Sequence, residues 1–556
     1  MKPSGHASLH TACVLTGLAG LTLVYTWPLL SRLTTAMPGG PRDLDVVTMV
    51  WNVDWMRRVI DQGAPLWYTD RVLIPFGADL RLHALAPLQG LVAYPLTRAI
   101  GSLGAYNLIL ILSLFLNGAA FWWLARRETR HSGAALAAAV CFMFCFPVVF
   151  HFRVGRPSFA SMWIVCLALV ALASLLDRPR AWTGLALGGC LLAAIFTDFQ
   201  VLLFTVLWLA IYMLYRLCRD RMAILTRAHL GQFGVAALVV LGPFVAIFYP
   251  ALSGAARAGY PTPTAENALA FSFRVQHYLI PSALRVAAGY ELFAAAVIAV
   301  LVFRGRGRYR IWLAGALVFL VLTLGPYDPP TGIPLPFAAL TAVWPPLAQF
   351  RTPGRFTMPA SLGLAMVAAY LLSAWLSRVR SAALVALVVG TVVVARLAWV
   401  LVMDPYHVQT YPAYAAYEAI AREPGDFAVL EVPFGVRSGL EHIGTGGERL
   451  LYYQLIHGKR VPNAMIARLP SPLFAAYRAH PALVFLSGTS GQSAARELEA
   501  DLAKFLREIG ARYVLVHRAR LAPDQQSSVE AFLDAHPNLD RRQVEDDLVV
   551  YRWRES

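Results

Sequence analysis

Arg304-Gly305-Arg306-Gly307-Arg308-Tyr309-Arg310 stands between two apolar runs, 286–303 and 311–325. A basic cluster this short, held between stretches long enough to be helical and nearly free of charge, is the pattern of a cytoplasmic turn joining two membrane helices. The pattern recurs at Arg126-Arg127-Glu128-Thr129-Arg130, Asp177-Arg178-Pro179-Arg180, 216–227 and Arg378-Val379-Arg380. Apolar runs near 9–30, 104–125, 133–150, 159–175, 182–198, 200–215, 230–249, 286–303, 311–325, 357–376 and 382–403 give about eleven spans. With the N-terminus in the cytoplasm, every one of these basic loops falls on the inner side. The longer loops of mixed charge, 31–103, 151–158, 250–285 and 326–356, then face outward. The first run is long for a signal-peptide core and lacks a convincing cleavage site, so it reads as an uncleaved anchor. The stretch 83–100 is apolar, but Pro87, Gln89, Pro95 and Arg98 suit an interfacial or re-entrant helix better than a span.

Composition supports a polytopic α-helical membrane protein. The chain has 556 residues, of which 58% are hydrophobic and only 14% charged; a soluble chain would carry about a quarter charged. The net charge of +16 is gathered in the short loops, which marks topology and argues against a nucleic-acid groove. Lysine stands only at Lys2, Lys459 and Lys504, and no Asn-x-Ser/Thr acceptor occurs, both in keeping with a bacterial inner-membrane protein. The six cysteines lie in or beside apolar runs, so neither a disulfide framework nor a zinc site is expected.

An odd number of spans puts residues 404–556 outside the membrane, separate from the membrane domain 1–403. This tail is charged throughout. It has strand-like runs at 427–432, 513–517 and 548–553 and a helical pattern over 493–509, enough for a small soluble α/β domain.

Three outer regions hold residues suited to chemistry. The first is Arg42-Asp43-Leu44-Asp45, followed by Trp51-Asn52-Val53-Asp54-Trp55. Asp45, Val46, Met49, Val50, Val53, Met56 and Val59 recur at helical spacing, which predicts an amphipathic helix on the membrane surface with Asp45 at its N-terminus. Asp43 or Asp45 would then be either a base or a helix cap, with Asp54 and Asp61 on the solvated face. The loop continues through Pro75-Phe76-Gly77 to His83. The second region is His151-Phe152-Arg153-Val154-Gly155-Arg156, and the third is Arg351-Thr352-Pro353-Gly354-Arg355-Phe356. Arginine at an outer mouth departs from the positive-inside trend, and its planar fork suits a lipid phosphate; a pairing with Asp198 is the other reading. His277, in Gln276-His277-Tyr278, is a further candidate for a substrate wall. Asp198 and Glu291 lie near outer ends, and Arg396 is expected to snorkel outward. No Walker glycine loop, metal-ligand spacing or nucleophile elbow is present.

On these residues the chain resembles the GT-C superfamily of multi-pass glycosyltransferases. The resemblance rests on Asp45 with Trp51 and Trp55, Pro75-Phe76-Gly77 with His83, Ala105-Tyr106-Asn107, the 351–356 stretch, and Tyr453-Gln454 with His457-Gly458-Lys459. It implies transfer of a sugar from a polyprenyl-phosphate carrier to a lipid, polysaccharide or protein acceptor on the outer face, with inversion. Asp45 would be the base and Asp43 its stand-in. His83, His151, Arg153, Arg156, His277, Arg351 and Arg355 would contact substrate. Some relatives use a divalent metal; the convergent carboxylates here are too few to expect one, and no cofactor is expected. One competing reading is a transporter or flippase for a lipid-linked saccharide, for which a polar path through the helices is missing, and another is a scaffold of envelope-polymer assembly that keeps the fold and presents the tail to partners.

Overall fold

The computed structural model describes residues 5–40, 43, 45–304, 306–444, 446–488 and 494–554. Arg42 and Leu44, beside the candidate acids, lie outside these described residues. The chain divides into two compact units. One comprises Met1–Gly40, Gly104–Val245 and Thr262–Gln409; the other comprises Pro41–Leu103, Ala246–Pro261 and Thr410–Ser556. The first outer loop is thus grouped with the tail, far from it in sequence.

The first unit is helical. Each apolar run read from the sequence is helical, with 9–30, 133–150 and 286–303 each broken into two helices, and the fold is that of a multi-pass membrane protein. Among the described residues five helices are long and apolar enough to cross a membrane: Pro87–Thr129, Phe199–Asp220, Arg227–Pro250, Pro353–Leu376 and Ala382–Met403. A sixth crossing is formed if Ser132–Met143 and Phe146–Arg153, bent by 51°, act as one. Leu9–Tyr25, Met162–Asp177, Ala181–Ile195, Tyr290–Phe303 and Tyr309–Leu322 are apolar but shorter.

Small residues set how closely these helices pack. Trp208 is fully buried, and a Cβ on Gly315 would come within 2.4 Å of its ring, so only glycine admits the indole there. The indole nitrogen donates to the Pro359 carbonyl at 3.1 Å. At another helix end, Asp177 accepts from Arg127 at 2.6 Å and Arg216 at 2.9 Å, which draws three of the basic loops together.

Helix Pro87–Thr129 is interrupted at Gly101, whose φ of 71° and ψ of 170° are open to glycine at little cost. The break separates the stretch read as an interfacial helix from the span that follows it.

The second unit is mixed α/β. Its four-stranded sheet runs Leu539–Glu545, Leu548–Trp553, Ala511–His517 and Ala428–Val432, antiparallel except for the last, parallel pair. Ala428–Val432, at one edge of the sheet, is nonetheless buried at every position, so both its faces are covered. Helix Ala495–Glu508 precedes Ala511–His517 and turns Leu498, Leu502, Phe505 and Leu506 inward at helical spacing.

Helix Asp45–Gln62 corrects one expectation. From Val46 to Met56 every side chain is buried, including Asp54 at 4% exposure, so this stretch is no half-exposed surface helix. Trp51 donates to Gln454 at 2.7 Å and stacks on Trp55, and Thr48 donates to the Met465 carbonyl at 3.3 Å. Asp54 tolerates burial because Arg57 and Arg58, one turn on, and Ser102 all donate to its carboxylate. Those cations hold its pKa below the ordinary carboxylate value despite the opposing effect of burial.

Candidate functional site

The helical unit gathers three of the sequence candidates. Helix Phe146–Arg153 opens with Pro147 in its first turn, where a missing N–H costs nothing, and its bend carries His151 toward the 156–159 turn. His151 is 5% exposed and meets Phe150 and Phe159 edge-on. Its Nδ1 has no hydrogen-bond partner among the described residues. The Arg156 N–H donates to the His151 carbonyl at 2.7 Å, and the Arg355 and Arg156 charges both act on the His151 ring.

Arg355 is placed by a tight turn. Pro353–Phe356 leads directly into helix Thr357–Leu376, and the Gly354 N–H donates to the Phe271 carbonyl at 2.8 Å. A Cβ on Gly354 would sit 2.7 Å from that oxygen, so the turn requires glycine. The guanidinium lies 4.4 Å from the centre of the Phe159 ring and donates to Gln200 Oε1 at 3.0 Å. Gln200 in turn donates its amide to the Phe159 carbonyl at 2.9 Å, while its backbone N–H caps onto Asp198 at 2.8 Å. The Asp198 and Arg355 charges also attract one another. Two arginines, an open imidazole nitrogen and an aromatic face therefore share one neighbourhood, the groups that hold a phosphate and stabilise its developing charge.

Other candidates in this unit stand elsewhere. Arg153 donates to Asp404 at 3.0 Å, and Arg285 joins the same carboxylate at 3.3 Å; Asp404 is 2% exposed. This pairing commits Arg153 to the fold. His277 Nδ1 accepts the Arg274 N–H at 3.1 Å, a local cap. Arg351 stands over the Phe271 ring at 5.3 Å. Arg396 does not snorkel outward: it pairs with Glu291 at 2.9 Å and donates to the Phe144 carbonyl at 2.6 Å, because an acid and a bared carbonyl at the helix bend are within its reach.

In the second unit Asp45 opens helix Asp45–Gln62 and Asp43 lies just before it; both are half-buried. His83 is locked by two bonds. Its Nδ1 accepts the Ala467 N–H at 3.0 Å, so Nε2 carries the proton and donates to Asn52 Oδ1 at 3.0 Å. Asn52 donates onward to the Ala84 carbonyl at 2.7 Å. Burial lowers the His83 pKa to about 3. Both ring nitrogens being spent, His83 acts as a strut.

Gln200 and Phe159 were missed by sequence reasoning, as were Asp404 and Arg285. A neutral amide and a phenylalanine in an apolar context carry no signal. Asp404 had one, an acid directly after the last apolar run. Among the described residues no group of three or more His, Cys, Asp or Glu is placed to hold a metal ion.

No family model matches the sequence, and no curated protein matches it. Solved structures do share its fold. The arabinofuranosyltransferase AftD from mycobacteria superposes with a TM-score of 0.60 over 98% of this chain and 40% of that one, at 15% identity. A mutant form of AftD gives 0.57 over 98% and 41%, at 16% identity. The oligosaccharyltransferase AglB from Archaeoglobus fulgidus, in complex with an inhibitory peptide and a dolichol-phosphate, gives 0.45 over 92% and 70%, at 12%. The chain spans about two-fifths of the length of AftD, and the likeness is one of fold.

Proposed function

From the premise that the chain has a GT-C glycosyltransferase fold, we propose that it moves a sugar from a polyprenyl-phosphate carrier to an envelope acceptor on the outer face of a bacterial inner membrane. The reading includes about eleven spans, a cytoplasmic N-terminus, and residues 404–556 outside the membrane. The acceptor hydroxyl oxygen attacks the anomeric carbon while the bond from that carbon to the phosphate oxygen breaks. Configuration inverts, and the phosphate leaves with the electron pair. Asp45 takes the hydroxyl proton, with Asp43 as the second acid. Arg355 and Arg156 meet the charge that develops on the phosphate, and His151 Nδ1 offers a hydrogen-bond position to the lipid-linked sugar or its phosphate.

The observation that carries this reading is the cluster in the helical unit: Arg355 held over Phe159 and on Gln200, beside a buried histidine with an unused nitrogen. A transporter or flippase would instead move the carrier without breaking the sugar–phosphate bond.

The test is transfer by purified protein from a panel of polyprenyl-phosphate sugars to acceptors from envelope extract, wild type beside Asp45→Asn. Loss of a general base lowers the rate about 10²–10⁴-fold, and a folded Asp45→Asn protein is expected in that range. Equal transfer by both would remove Asp45 from the chemistry. Carrier movement across vesicles without sugar transfer would replace the enzyme with a flippase.

A further inference from the structure

The second unit carries an arginine–tyrosine surface that the proposed chemistry does not use. Tyr411 and Tyr452 pack with ring centres 4.5 Å apart and planes at 31°. Arg520 stands over the Tyr411 ring at 5.4 Å. The Arg449 and Arg520 charges both act on Tyr411 and on each other, which sets Arg449 in the same neighbourhood. Three separate segments build this patch. Tyr411 precedes helix Ala415–Arg422, Arg449 and Tyr452 lie on the turn Gly447–Leu450 and helix Leu451–His457, and Arg520 ends the turn Arg518–Arg520 after strand Ala511–His517. The Tyr453 hydroxyl donates to the Pro412 carbonyl at 3.3 Å and ties the first segment to the second.

The charges here do not balance internally. Glu448, the carboxylate acting on Arg449, is taken by Arg437 at 2.8 Å and by the Gly446 N–H at 3.0 Å. Asp547 is occupied by the Tyr414 hydroxyl. Among the described residues neither Arg449 nor Arg520 has an ion-pair partner, and the Arg449 Nε, shut off from solvent, has no acceptor. A half-buried guanidinium in that state is poised to receive an anion from outside the chain.

We propose that Tyr411, Tyr452, Arg449 and Arg520 form a subsite for an anionic saccharide, one bearing carboxylate or phosphate groups. The C–H face of a pyranose lies on the tyrosine rings, whose amphipathic faces accept it at little entropic cost. Its anionic group takes the two arginines in charge-assisted bonds. The proposal does not rest on the transfer reading, because binding is measured with no donor present.

The experiment is calorimetric titration of the full chain in detergent with an oligogalacturonate tetramer, mannose 6-phosphate, maltotetraose and inorganic pyrophosphate. At least one anionic saccharide is expected to bind, with maltotetraose at least about tenfold weaker. The Arg449→Gln/Arg520→Gln double variant is expected to lose at least about tenfold in affinity, and Tyr452→Ala about fivefold. The corresponding double lysine variant, which keeps charge and fold, is expected to retain part of the binding, as an intact but forkless site should. The proposal is overturned if neither anionic saccharide binds, if maltotetraose binds as tightly, or if the double glutamine variant keeps its affinity. Pyrophosphate binding as tightly as the saccharides, with no effect of Tyr452→Ala, overturns it in favour of a bare phosphate site.

Discussion

His83 in the loop-and-tail unit and His151 in the helical unit carry the same side chain into two different kinds of surroundings. His83 has both ring nitrogens engaged, one by the Ala467 N–H and one by Asn52. His151 is buried against phenylalanines, with Nδ1 unpartnered and two arginines acting on its ring. A histidine whose hydrogen-bonding capacity is exhausted inside the protein can only hold segments together. One that is buried with a nitrogen left over bears an energetic cost that folding alone does not explain. The contrast separates a strut from a contact residue with no reference to reactivity, and it extends to the arginines. Arg153 donates to buried Asp404, whereas Arg355 donates to the neutral amide of Gln200 and stands over the Phe159 ring.

The arginine half of this contrast carries the largest expected effect. Arg355→Gln removes the cation meant for the leaving phosphate, and transfer is expected to fall about 10²–10³-fold, the range for losing one preorganised donor, with melting temperature little changed. Arg153→Gln is expected to do the reverse. It leaves buried Asp404 with Arg285 alone, lowers stability by about 2 kcal/mol, and reduces transfer by the folded fraction less than about tenfold. Transfer assays run beside thermal melts check both. An Arg153→Gln enzyme as inactive as Arg355→Gln would erase the distinction.

The histidine half is sharpened by one substitution made at both sites. His83→Phe strands the Ala467 N–H and Asn52 Oδ1, and is expected to lower stability by about 2 kcal/mol. His151→Phe removes a buried nitrogen that has no partner, so stability is expected to hold or rise while transfer falls about tenfold. Denaturant or thermal unfolding of the two variants decides the matter, and a destabilised His151→Phe protein would mean that its nitrogen is satisfied after all.

Much of the helical architecture was legible because it is written in bulk properties: apolar runs of span length and basic clusters between them. The tail strands at 428–432, 511–517 and 548–553 were legible for the same reason, as short runs of β-branched and aromatic residues. What stayed hidden depends on partners remote in sequence. Arg153 and Arg355 look equivalent along the chain; Arg153 is set apart by Asp404, 251 residues beyond it. Asp54 read as a solvated acid on an amphipathic helix; its burial follows from the tail segments around Gln454 and Met465, which share a unit with that helix, and from Ser102. Gln200 holds Arg355, but a neutral amide at the start of an apolar helix announces nothing.

The smallest effect is one of pH, and it probes whether the His83 strut is closed to protons. With its folded pKa lowered to about 3 by burial and an ordinary value near 6.5 when unfolded, the unfolded chain binds this proton more readily. The stability contributed by neutral His83 is therefore full above about pH 6.5 and is lost as pH falls from there toward the folded pKa, at most about 1.4 kcal/mol per pH unit. His83→Gln keeps a donor and an acceptor but does not titrate. Between pH 7 and 5 the melting temperature of wild type is expected to fall more steeply than that of His83→Gln, with the two curves parallel above pH 7. His457, also lowered to about 3 by burial and neighbouring cations, contributes a like slope to both proteins and cancels in the comparison. Identical slopes would show that His83 takes up its proton in the folded state, which a ring with both nitrogens spent on the protein cannot do without giving up one of its bonds.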